Sequence, residues 1–198
     1  MKKKKTKNSE QKILDLISEA GLLKRVKRSG WWVVGIKDPE TVAEHCFRCA
    51  VLGYLIAKME GADAYRVMLM CLFNDIHEAR INDAHKVAVR YLNYTDAENA
   101  AFADQIADMP VNIKKEMSGF RRDYLEQGSP ESLIARDADI LECLIQAKEY
   151  YEHGNRQAKL FFRKAPKFLK TRTARKLWKE ARDMDNTEWW LRVCDFKR

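Results

Sequence analysis

The chain has 198 residues, 46% of them hydrophobic and 33% charged, with only eight Gly and four Pro. That length suits one domain with a full core, and the scarcity of Gly and Pro excludes collagen-like, low-complexity and turn-rich all-β chains. The formal charge of +8 is unevenly spread: residues 1–8 hold five Lys and no acid, residues 156–182 hold eleven Lys/Arg against one Glu, and the remainder is net acidic. No apolar run approaches a membrane span, and no apolar stretch follows the basic Met1–Lys5, so neither a membrane partner nor a secretory signal is expected. The five cysteines form no compact framework. Cys46 and Cys49 lie in helix-like apolar surroundings and read as reduced, buried thiols of a cytoplasmic protein.

The pattern is helical almost throughout. Ser9 is a candidate N-cap for a first helix carrying Ile13, Leu16 and Ile17. Gly30–Gly35 breaks the periodicity. Thr41-x-x-Glu44 has the form of a capping box and opens a helix over about 42–60. Asp63 caps the next, whose Val67–Phe73 run is apolar on every side and reads as a central helix. Asn82-Asp83 marks a turn. Thr95-x-x-Glu98 is a second capping box, opening a helix to about Asp108 before Pro110 interrupts. Ser129-Pro130 is a strong helix start, and Gly154 a stop. Pro166 splits the basic segment, and Thr187 caps a last helix with Trp189, Trp190 and Leu191. These signals predict an all-α helical bundle: a basic disordered tail over 1–8, a domain over 9–155, and a basic helical extension over 156–198 packed on it.

Three polar clusters fall on these helices: Glu44-His45, Asn74-Asp75 with Glu78, and Asp137/Asp139. Buried ionisable groups are costly unless partnered, and imidazole with carboxylates gathered from several helices suits a divalent metal. On a continuing helix, positions 74, 75 and 78 lie at about 0°, 100° and 40° and share one side.

Glu44-His45, then Phe73-Asn74-Asp75-Ile76-His77-Glu78-Ala79, then Asp139-Ile140-Leu141-Glu142 with Ala147-Lys148-Glu149-Tyr150, resemble the HD-domain metal-dependent phosphohydrolases. Arg28-Ser29-Gly30-Trp31, Pro39-Glu40-Thr41 and Asn82-Asp83 are similar to its small 5′-deoxynucleotidase-like branch. The resemblance covers about residues 12–152. It implies an HD-domain helical bundle with the metal site between core helices, and hydrolysis of nucleoside 5′-monophosphates, with deoxynucleosides preferred. It implies one divalent cation (Mn, Co, Mg, Fe, Ni or Zn) on His45, Asp75, Asp139 and Asn74, with Asp139 preferred to Asp137. Asp75 and Glu78 are implied as catalytic groups. Arg28 is implied to hold the phosphate, Trp31 to pack on the sugar or base, and Asp83 to contact the sugar. The partners implied are a small nucleotide and a second copy of the chain. The departure is Asn74, which stands where the family has the histidine of its His-Asp pair. An amide is a weak neutral donor, so impaired catalysis with retained nucleotide binding is the alternative. A second alternative is nucleic-acid binding through the Lys tail and residues 156–182, with Phe161 or Phe168 as stacking platforms. His77 is the substitute ligand considered, although a surface or supporting position suits it better.

Overall fold

The computed structural model describes residues 8–194, so the Lys-rich residues 1–7, with the disorder expected of them, and residues 195–198 lie outside the described residues. The described residues form helices with one isolated bridge between Lys27 and Thr41 and no strand. The α-helices are α1 (Ser9–Leu22), α2 (Val42–Glu60), α3 (Ala64–Phe73), α4 (Glu78–Ile81), α5 (Lys86–Val89), α6 (Tyr94–Ile106), α7 (Val111–Glu126), α8 (Pro130–Glu152), α9 (Arg172–Asp183) and α10 (Glu188–Val193). Short 3-10 helices occupy Ser29–Val34, Arg156–Arg163 and Ala165–Phe168.

Most boundaries follow from local capping chemistry. Thr41 and Glu44 close the box that starts α2, Asp63 accepts from Tyr65 and Arg66 at the start of α3, and Ser129 caps α8 with Pro130 in its first turn. The structure moves the first cap one residue back: Asn8, paired with Gln11, caps α1. It also leaves the Thr95 box unformed. The helix begins at Tyr94, and Asn93 Nδ2 instead donates to Asp96. Thr187 does not cap α10 either, because its hydroxyl is spent on Asp185.

The central element is α8 rather than α3. α8 touches α2, α3, α7, α9 and both C-terminal 3-10 segments, and Ile134, Ala135, Ala138, Leu141, Leu144 and Ala147 along it are fully buried. α3 is one-sided, with Tyr65 and Leu72 exposed. α2 lies against α3 closely because Gly53 has no side chain: a Cβ there would sit 2.7 Å from Cys71 Sγ. Cys46, Cys49 and Cys71 are buried free thiols.

The basic segment is folded onto this core. Leu169, Ala174 and Trp178 join the main apolar cluster, and Phe161 packs on Trp31 with ring centroids 4.6 Å apart. Asp137 is the clasp. Its buried carboxylate accepts from the backbone N–H of Lys170 (2.9 Å) and Thr171 (2.6 Å) and from the Thr171 hydroxyl (2.7 Å). Replacing Asp137 with Ala strands these donors, and the expected outcome is a loss of about 3 kcal/mol in urea-melt stability with faster hydrogen exchange over 169–183.

Candidate functional site

The second polar cluster arises from a break in the helix. α3 stops at Phe73, and the next residues close i→i+3 bonds: Glu78 N–H to Asp75 C=O (3.0 Å) and Arg80 N–H to His77 C=O (3.0 Å). This tighter winding replaces the continuous helix expected from the sequence. Asp75 is brought toward α2, while His77 goes the other way, where Arg121 Nη1 donates to its Nδ1 at 3.3 Å and Glu98 lies 3.5 Å from Nε2.

His45, on the inward face of α2, is the hub. Its Nδ1 donates to Glu142 of α8. Its Nε2 lies 3.2 Å from Asp139 Oδ1 and 3.7 Å from Asp75 Oδ2. Glu142 is fully buried and held in turn by Arg48, whose Nε donates to Oε1 at 2.9 Å. Arg48 also reaches Glu149 (2.6 Å) and Gln146 (2.7 Å) along α8. The spacing of Asp139 and Glu142 puts both on one face of α8, and His45 and Arg48 match them on α2. Burial and the Arg28 cation oppose charge on His45, but its bonds to Asp139 and Glu142 outweigh them and push its pKa up to about 10. The same imidazolium holds Asp139 well below the usual carboxylate range against the effect of burial.

The other expected residues stand around this hub. Asn74 Nδ2 donates to Asp75 Oδ1 at 2.6 Å. Arg28 Nη1 is 3.4 Å from Asp75 Oδ2. Burial, with Asp75 and Asp83 nearby, raises the Glu78 carboxyl far above its ordinary pKa, and its Oε2 has no hydrogen-bond partner among the described residues. Asp83 accepts from the backbone N–H of Ser29, tying the Arg28 segment to the turn after α4. Trp31 is only 2% exposed; its Nε1 donates to Glu40 and its ring packs on Tyr150 and Phe161, leaving no open ring face for a sugar or base.

Two donor sets share His45. Atoms of Glu40, His45 and Glu142 lie within 4.8 Å of one another, but Glu142 is engaged by His45 and Arg48, and Glu40 by the Trp31 N–H. The Nε2 side, facing two carboxylates with Asn74 and the unpartnered Glu78 oxygen beside them, is the set that fits a divalent cation. The acids around Nε2 draw positive charge to this place, here as a proton on His45, and a cation binding there would take that proton's position. Glu142 as the partner of His45, and the supporting residues Arg48, Tyr124 and Arg136, emerge only from the structure. Tyr124 and Arg136 both donate to Asp139 Oδ2, at 3.1 and 2.9 Å.

A helical bundle with a His/Asp cluster between its core helices is the architecture of a metal-site α-helical domain. The HD-domain family model matches residues 20–182, and the chain belongs to that family. It is 30% identical over 149 residues to the 5′-deoxynucleotidase HDDC2 of Danio rerio, covering 75% of this chain and 74% of that protein. It is 28% identical over 151 residues to the Bos taurus protein of the same name, covering 75% and 72%. The solved structure of a conserved hypothetical protein from Pyrococcus furiosus superposes with a TM-score of 0.75 at 30% identity, covering 86% of this chain and 99% of that one.

Arg48→Met leaves Glu142 buried with only His45 for a partner. The expected cost is about 3 kcal/mol in denaturant-melt stability, with Arg48→Lys recovering part of it.

Proposed function

We propose that this chain is a metal-dependent phosphohydrolase acting on nucleoside 5′-monophosphates, deoxynucleosides foremost. The observation that carries the reading is the His45 imidazole, locked at Nδ1 by Glu142 and turned at Nε2 toward Asp75 and Asp139. The 5′-deoxynucleotidase relatives supply the substrate class.

His45, Asp75 and Asp139 would hold the cation, with the Asn74 amide as a weak fourth donor. When bound, it would supply Lewis acidity for a phosphoryl oxygen and for the attacking water. Arg28, already beside Asp75, binds phosphoryl oxygens and offsets the charge that develops on them. Water attacks phosphorus as the P–O5′ bond breaks. Glu78, kept protonated by burial, gives its proton to the leaving oxygen and regains one from the attacking water. Asp83 contacts the sugar from the turn after α4. Trp31 contributes from beneath, fixing the Arg28 segment through Glu40 and Tyr150.

Asn74 favours one second reading, a nucleotide-binding protein with impaired turnover. Phosphate release from a panel of ribo- and deoxynucleoside 5′-monophosphates, with Mn²⁺, Co²⁺ or Mg²⁺ added, separates the two. Release by the protein as it stands is the expected outcome. Binding of nucleotide without release supports the second reading, and neither binding nor release overturns both. Asn74→His exchanges a neutral amide for imidazole. The expected gain in Mn²⁺ affinity is about tenfold or more by equilibrium dialysis, on the scale by which outer ligand partners alone change metal affinity.

The chain also forms a homodimer through the outer face of α2, with the cytoplasm as its compartment. Phe47, Val51, Leu55 and Met59 recur every fourth residue there and are 69%, 45%, 50% and 66% exposed, an apolar stripe that suits a second copy. Leu55→Glu is expected to convert a dimeric light-scattering mass to a monomeric one. An unchanged mass moves the interface elsewhere, with the exposed Trp189 of α10 the next candidate.

A further inference from the structure

We propose that Arg136 is a second phosphate-holding residue, forming with Arg28 a two-guanidinium clamp that selects a phosphomonoester dianion. The proposal rests on the functional reading above.

Arg136 lies on α8 one turn before Asp139. Its Nη1 donates to Asp139 Oδ2 at 2.9 Å and to the Tyr124 hydroxyl at 3.0 Å. The Tyr124 hydroxyl donates to that same Oδ2 at 3.1 Å, and the guanidinium carbon stands 5.9 Å from the Tyr124 ring centroid. Asp139 thus divides its oxygens: Oδ1 faces His45, and Oδ2 faces Arg136 and Tyr124. Arg28 likewise lies beside Asp75, 3.4 Å from Oδ2, although there the guanidinium and His45 Nε2 face the same oxygen and Asn74 takes the other. Each carboxylate beside Nε2 therefore carries its own guanidinium.

Two features separate Arg136 from a simple strut. Its side chain is 46% exposed where that of Asp139 is 16%, so it is the solvent-side neighbour of the carboxylate. Among the described residues, only Nη1 of its donors is engaged, and a guanidinium carries five N–H groups in a fork suited to phosphate. The buried Tyr124 hydroxyl fixes where that fork stands. The charge count points to the ligand. Among the groups that meet around His45, Arg28 and Arg136 offset Asp75 and Asp139 and Arg48 offsets Glu142, so with His45 ligating as a neutral imidazole the two positive charges of a divalent cation remain to be matched. A phosphomonoester carries nearly two negative charges near neutral pH, whereas a diester carries one.

The test separates phosphate binding from metal binding. Mn²⁺ affinity is read by the free-ion electron paramagnetic resonance signal, and inorganic phosphate is titrated calorimetrically into the Mn²⁺-loaded protein. Arg136→Gln is expected to weaken phosphate binding about tenfold or more, the scale of one charge-assisted hydrogen bond, while Mn²⁺ affinity stays within about threefold. Arg136→Lys keeps the charge without the fork and is expected to fall between, which also serves should the Gln variant fail to fold. Phosphate binding unchanged in both variants overturns the clamp. So does a loss confined to Mn²⁺ affinity, which makes Arg136 a support for Asp139. Wild-type protein that holds Mn²⁺ but takes up no phosphate overturns the functional reading and the clamp together.

Discussion

Everything in the site depends on one buried bond, from His45 Nδ1 to Glu142. A neutral imidazole can present either nitrogen, and a carboxylate on Nδ1 settles the choice by leaving Nε2 for the cluster. Glu142 is fully buried, so the bond survives only because Arg48 balances the carboxylate's charge. The contacts form a chain through the buried Glu142: Nε2 with Asp75 and Asp139 on one side, then Glu142, then Arg48 with Glu149 and Gln146 on the other. Apart from that of Asp75, each contact joins α2 to α8, so the packing of two helices and the orientation of one ring are the same fact seen at two scales.

The break after Phe73 is the second constraint. A helix that continued would keep Asn74, Asp75 and Glu78 on one side and return His77 to within a turn's reach of them. The i→i+3 winding divides them instead, with Asp75 beside His45 and His77 between Arg121 and Glu98. The cost is a cluster of acids in a buried place. Glu78 bears part of it through its raised pKa, and Arg28 beside Asp75 and Arg136 beside Asp139 offset the rest.

Much of the fold was legible because helix starts are local. Thr41 with Glu44, Asp63, and Ser129 with Pro130 each satisfy backbone donors within three residues, so the sequence carries the whole interaction. The errors were local competitions with two close outcomes, Asn8 against Ser9 and Asn93 with Asp96 against Thr95. Burial is legible where apolar periodicity speaks, but the Val67–Phe73 run overstates α3, because Leu72 adds apolar character without being covered. Costly polar groups on core helices mark the three clusters in the sequence, but the choice of His45, Asp75 and Asp139 among them comes from the family resemblance, since partners on three helices leave no spacing to count. Arg48 and Tyr124 were invisible for the same reason. Arg136, three residues from Asp139, was near enough to find, and an i,i+3 pair of Arg and Asp is the signal that could have found it.

Four consecutive residues of α8 serve three neighbours. Arg136 holds Asp139 on the solvent side, Asp137 clasps the segment at Lys170–Thr171, Ala138 fills the core, and Asp139 faces His45. On a helix each position is turned about 100° from the last. A single-residue deletion between Asp139 and Glu142 would therefore swing everything beyond it off register, parting His45 from its anchor even with every side chain present. Within this stretch the chain tolerates a change of letter far better than a change of length.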